Sequence, residues 1–395
     1  MFGLSTMNSR LRPTLRPVLI LFGLLIAAAP MVRACNVPVF RFALERWVSD
    51  NYVMVIAHDT PPTPEQQQAI AGLKALSSDH EGMANLTVQV LDLKATPEDP
   101  AVGHLPLGDI TLPAAFLFYP AAFGTPTLVW KAPLGGAELR DPTTSPVRDD
   151  FAARMTRGSS AVWFLLESDD KEANDRAEQV LRESLTAVEQ DLELPAGVIL
   201  PSGKVTGTDS EAADHGFFDA ENRLESGIPL RIGFDVVRLP AFPPGEEVFL
   251  SMLLNAAPGL LEKRSQPMVF PLFGRGRILA PLVGGEIRPD AIAAVASYLC
   301  GPCSCQVKAQ NPGVDLLLAV NWKERLAGLS AIPERELPPL GGTSSMIGET
   351  QPPAPTSTGE HPRNDNPLRR NLTRTAGAAL ALVILATIMM VKRNR

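Results

Sequence analysis

Aromatic side chains are sparse in this chain, acidic residues are absent from both of its ends, and the spacings that announce common chemistries are missing. No G-x-S-x-G elbow, Walker loop or dinucleotide fingerprint occurs, which removes the hydrolase, P-loop and Rossmann readings. His58, His80, His104 and His215 fall in neither H-x₃-H nor HExxH spacing, so they read as surface or loop residues rather than metal ligands. Four cysteines in 395 residues are too few for a disulfide-dense scaffold. Stability must therefore come from apolar cores, and no cofactor is expected.

What the ends do carry are addresses. Arg10, Arg12 and Arg16 precede an apolar run from Val18 to Ala29, which suits a signal peptide over residues 1–34 and is short for a membrane span. Val32-Arg33-Ala34 allows cleavage that leaves Cys35 first; lipidation of Cys35 and an uncleaved anchor are the alternatives. Thr375–Val391 is uncharged over seventeen residues and is followed by Lys392, Arg393 and Arg395. As a helix it spans about 26 Å, enough to cross a bilayer with Arg374 and Lys392 snorkelling. Gly377, Ala378 and Ala381 offer this span a small-residue face for packing against another helix. The expected topology is single-pass in the cell membrane, with an extracytoplasmic (periplasmic) body and a cytoplasmic C-terminus.

Setting aside the ten basic residues of the two ends leaves 26 Lys and Arg against 43 Asp and Glu, a net of −17 for the displayed part. So acidic a body repels nucleic acid and anionic lipid alike. Residues 332–368 hold eight prolines and no aromatic residue, the composition of a disordered stalk. The folded part is then 35 to about 331, a length that favours two domains.

The second half reads most clearly. Ala161–Glu167 is a buried strand, and Lys171–Leu192 carries Ala177, Val180, Leu181, Leu185 and Val188 at helical spacing. A polar loop spans 195–227. Ile228–Leu239 is a strand, Glu246–Asn255 a helix, and Met268–Phe273 with Arg277–Val283 a hairpin around Gly274-Arg275-Gly276. Asp290–Leu299 closes it. The first half repeats the pattern: helix Val39–Val48, strand Tyr52–His58, helix Pro64–Ser77, strand Leu86–Leu93, hairpin Ala114–Tyr119 with Thr127–Lys131, and helix Val147–Arg157. The β-α-β part favours parallel strands, and the hairpin must be antiparallel.

Both halves resemble thioredoxin-fold domains, at 35–158 and 159–331. That family places a proline, normally cis, before the first strand of the terminal hairpin, and Pro113 and Pro267 match the position. The implied fold class is α/β: two thioredoxin-like domains with mixed sheets, plus one transmembrane helix. The chain as a whole resembles secreted proteins of environmental bacteria, a likeness that brings no activity with it.

Cys300-Gly301-Pro302-Cys303 has the letters of the thioredoxin redox motif. In that family the motif opens a helix after the first core strand, where the dipole stabilises a thiolate. Here it follows the last helix, and Gly301-Pro302 reads as a helix stop. The positions where the resemblance would place a catalytic pair hold His58-Asp59-Thr60-Pro61 and Glu167-Ser168-Asp169-Asp170 instead. Asp169-Asp170 suits a helix start, and Gly274–Arg277 suits a turn. With Cys305 and Cys35 the thiol group numbers four. Structural disulfides, an accessible exchanging dithiol and a soft-metal site for copper(I) or zinc all remain open. Asn85-Leu86-Thr87 and Asn371-Leu372-Thr373 match the glycosylation sequon. The leading expectation is a non-catalytic binding or scaffolding protein whose partner is an envelope membrane complex. The alternative is a thiol–disulfide exchanger or metal handler using Cys300, Cys303 and Cys305. The sequence identifies no small-molecule ligand.

Overall fold

The computed structural model describes residues 35–77, 84–124, 126–134, 142–207, 220–303 and 307–327. The expected signal peptide, the stalk, the span 375–391, His80, His215, Cys305 and Asn371 lie outside these residues. By its contacts the chain divides into Met1–Arg335 and Glu336–Arg395, the second wholly outside the described part. Among the described residues no helix is long and apolar enough to cross a membrane.

Two mixed α/β sheets form the frame. The first has the order β2-β1-β3-β4, from β1 (Tyr52–His58), β2 (Leu86–Asp92), β3 (Ala114–Phe118) and β4 (Leu128–Pro133). β1 runs parallel to β2 and antiparallel to β3, and β3 pairs antiparallel with β4. The second sheet repeats this arrangement with β5 (Ala161–Leu166), β6 (Phe234–Leu239), β7 (Met268–Phe273) and β8 (Arg277–Ile278). Two short strands extend it: β9 (Leu282–Val283) pairs with β7, and β10 (Val314–Asp315) pairs with β8.

The helices are α1 (Val39–Arg46), α2 (Pro64–Leu76), α3 (Pro146–Thr156), α4 (Lys171–Asp191), α5 (Glu247–Leu254), α6 (Pro289–Cys300) and α7 (Trp322–Ala327). Their starts follow from local chemistry. The Thr63 hydroxyl accepts from the Gln66 N–H at 3.3 Å while Gln66 accepts from the Thr63 N–H at 2.8 Å, a capping box with Pro64 in the first turn. Asp170 caps α4 by accepting from Ala173 N–H at 2.9 Å.

Strand alternation sends one face of each sheet into a shared core. Tyr52, Met54 and Ile56 of β1 join Val162, Phe164 and Leu166 of β5, with Phe249 and Met252 of α5 in the same cluster. The opposite face of β5, with Trp163 and Leu165, packs beneath α4, α6 and α1. The opposite face of β1, with Val55 and Ala57, is covered by irregular chain and 3₁₀ turns at Pro100–His104 and Leu107–Asp109.

The two ends of the folded part cross over. The N-terminal segment precedes β1 in sequence yet lies against the second sheet, where Pro38 bridges Pro302 antiparallel. In α1, the Arg41 guanidinium donates to Glu45 Oε1 at 2.9 Å and to the Ser226 and Ile228 carbonyls at 3.0 and 2.8 Å. Glu45 in turn accepts from Glu225 N–H at 2.9 Å and Ser226 N–H at 3.1 Å, so a fully buried ion pair is also fully hydrogen-bonded. At the other end, Leu316–Val320 crosses to the first sheet. Asn85 donates through Nδ2 to the Asp50 and Leu316 carbonyls and accepts from Leu318 N–H at 2.8 Å. Tyr52 Oη donates to Asp315 O at 2.9 Å.

Two segments depart from the sequence expectation. β6 begins at Phe234, not Ile228, because Pro229 lacks a ladder donor and the Ser160 hydroxyl takes the Arg231 carbonyl and the Gly233 N–H. The return strand of the second hairpin breaks into β8 and β9 around Pro281. Residues 195–207 and 220–227 are irregular, as expected for a loop, with Ile199 bridging both Val205 and Arg223.

Candidate functional site

The carboxyl ends of the two central parallel strands are the natural places to look, because helix N-termini and hairpin starts converge there. In the first sheet, the register Ala57↔Ala114 sets His58 opposite Pro113, and His58 also pairs with Asp92. Leu112–Pro113 is cis. His58 Nδ1 is buried without a hydrogen-bond partner among the described atoms. The Ala95 and Lys94 backbone N–H groups hold Asp92 below the usual carboxylate range, with a smaller pull from His58. At the α2 N-terminus the Gln66 and Thr63 N–H groups are already taken by the capping box.

The second sheet places Glu167 opposite Pro267 by the register Leu166↔Met268. The bond before Pro267 is trans, a departure from the resemblance, since Leu112–Pro113 is the one cis bond among the described residues. Glu167 accepts from Arg238 at 2.6 Å, and Arg238 also meets Asp175 and Glu178 at 3.0 and 2.7 Å. Ser168 is locked by Asn174, whose Oδ1 accepts from Ser168 N–H at 2.9 Å and whose Nδ2 donates to Ser168 O at 2.8 Å. Both strand ends therefore hold capped, hydrogen-bonded polar loops, and neither presents sulfur.

The described cysteines gather elsewhere. Cys35, Cys300 and Cys303 are all buried in the core on the outer face of the second sheet. The N-terminal segment runs beside the chain leaving α6: Val39 N–H donates to Gly301 O at 3.0 Å, and Cys303 N–H to Val37 O at 2.9 Å. Cys35 Sγ donates to Glu221 O at 3.3 Å. Burial raises the Cys35 thiol above its ordinary pKa, against the opposing Val37 N–H. Burial pushes the Cys300 thiol up to about 12, against a hydrogen bond from Ser160. Cys300 is also the last residue of α6, where the helix dipole disfavours an anion. Burial and the helix C-terminus both suppress the thiolate, the form that exchanges disulfides and binds soft metals. Among the described residues no three His, Cys, Asp or Glu side chains gather as a metal site. Cys35 itself is 3 % exposed.

The remaining candidates resolve as structure. Arg275 donates to the Leu44 and Glu45 carbonyls at 2.8 and 2.7 Å, capping the end of α1, and Arg277 pairs with Asp315 at 2.9 Å. The Asn85 sequon amide is spent inside the fold. His104 lies in the first 3₁₀ turn. Sequence reasoning missed the Arg41–Glu45 clamp and the role of Asn85. An i,i+4 Arg–Glu pair normally signals a solvated helix face, and nothing local marks this one as buried.

No protein-family model matches the chain, and no curated protein matches it in sequence.

Proposed function

We propose that this is a membrane-tethered, extracytoplasmic binding or scaffolding protein of the cell envelope, built on two thioredoxin-like cores without redox chemistry. The tether and the address rest on the two ends of the sequence. The thioredoxin-like assignment is supported by the repeated pairing, one parallel and two antiparallel neighbours in the same order, and by the cis bond before Pro113. The observation that carries the function is the placement of sulfur: His58 and Glu167 stand at the strand ends, while Cys35, Cys300 and Cys303 are sealed in a core.

A scaffold of this kind presents its strand-end loops to a partner and leaves the chemistry to that partner. The test is photo-crosslinking in intact cells from residues 59 and 169, one in each loop, paired with a disulfide-reduction assay on the purified protein. Crosslinks to an envelope membrane protein, with no reductase turnover, are expected. Turnover abolished by Cys303→Ser would replace this reading with thiol–disulfide exchange.

A further inference from the structure

The outer face of the first sheet is unlike every other sheet face in the fold. Helices cover the outer face of the second sheet, whereas 3₁₀ turns and loops cover this one. The irregular cover leaves a cavity of about 200 Å³. Its floor is Val53 and Val55 of β1 with Phe118 of β3, which face each other through the pair Val53↔Phe118. Tyr119, Pro120 and Pro126 form one wall.

From this geometry we infer that the cavity is a binding site for a small, uncharged, apolar molecule about the size of a single substituted aromatic ring. Size is the first argument. An apolar cavity of ~150 Å³ accommodates benzene, so this one holds a ring with a small substituent. Chemistry is the second. Among the described lining residues there is no acid or lysine, and both wall prolines lack an N–H. The Tyr119 hydroxyl is turned away and donates to Met252 O in the shared core. Water inside would find few partners, whereas an apolar guest gains contact with the floor and the wall.

Position is the third argument. The polar side chains at the lining, Gln89 and His104, are both exposed and stand at the mouth. They suit one neutral hydrogen-bonding substituent, such as a phenolic hydroxyl, held at the entrance while the ring sits below. A charged guest would lose its hydration without an opposite charge to replace it. The site is separate from the strand-end loops and does not rest on the scaffolding reading.

The experiment uses the purified full chain in detergent with toluene and p-cresol as probes and benzoate as the charged control. Both neutral probes are expected to raise the thermal midpoint by a few degrees, because they bind the folded state alone, and to perturb methyl resonances of Val53, Val55 and Ala101. Benzoate is expected to do neither. Val53→Phe fills the cavity from its floor, and Ala121→Phe closes it from the exposed rim; each should abolish the probe-induced shift while unfolding remains cooperative. Should Val53→Phe not fold, Ala121→Phe carries the comparison alone. No probe response in the unaltered protein, an equal response to benzoate, or a response that survives Ala121→Phe would overturn the assignment.

Discussion

A thiol-specific alkylating agent applied to the folded protein should leave Cys300 untouched. The reasoning is quantitative. With a pKa of about 12 against an ordinary value of 9.0, the thiolate fraction at pH 8 is ~10⁻⁴, compared with roughly one in ten for a free thiol. That difference alone slows alkylation by about a thousandfold. Burial slows it further, since the residue is 2 % exposed and a reagent must wait for the core to open. The same shift makes stability depend on pH. The folded state keeps its proton on sulfur while the unfolded state releases it above pH 9, so the unfolded state binds fewer protons and stability falls as pH rises. The contribution is intact below pH 9 and is lost progressively as pH climbs toward 12. At ~1.4 kcal/mol per unit this comes to about 4 kcal/mol over the whole window. The assay is a pulse of N-ethylmaleimide at pH 8, native and in urea, with the adduct located by peptide mass spectrometry. Urea titrations at pH 8 and pH 10.5 give the linkage. Native labelling of Cys300 within tenfold of the rate in urea would refute the argument, and the proposal of a scaffold without redox chemistry would lose its support.

Two further substitutions probe the crossed ends. Glu45→Ala strands the Arg41 guanidinium in the core and should cost about 3–5 kcal/mol in urea unfolding, with the Arg41→Met/Glu45→Leu double variant recovering most of it. An unchanged midpoint for Glu45→Ala would show the pair to be dispensable. Asn85→Ala removes the hydrogen bonds that hold Leu316 and Leu318. It should cost about 2–4 kcal/mol and raise hydrogen exchange at residues 316–320. Exchange in that segment as slow as in the parent protein would argue against the crossing.

Much of the frame was legible because period and punctuation are local. Tyr52–His58 was bounded at both ends by its residues, Ala161–Leu166 announced itself as a short apolar run, and Thr63, Pro64 and Gln66 spelled out a helix start. Gly301-Pro302 marked the end of a helix, and Cys300 stands at that helix's C-terminus, not at an N-terminus. The allegiance of α1 was not legible. Its apolar stripe shows that it packs and does not show against which sheet, and its partners lie some 185 residues away. Leu316–Val320 is held by Asn85, which the sequence marks only as part of a glycosylation sequon. The cavity lies where 3₁₀ turns rather than an α-helix connect β2 to β3; the lack of a helix between Leu93 and Ala114 is legible, and the space it leaves is not.

The crossing of the ends also sets a clock on folding. Leu318 is 233 residues downstream of the Asn85 that holds it. At roughly 5–20 residues per second of synthesis, Asn85 waits ~10–50 s for its partner to be made. Through that interval the inner face of the first sheet lacks the contacts that Leu316–Val320 supplies. A chain that emerges end first cannot complete its first half early and shelter it. The contacts between Asn85 and Leu318 can form only once nearly all of the described residues have been made.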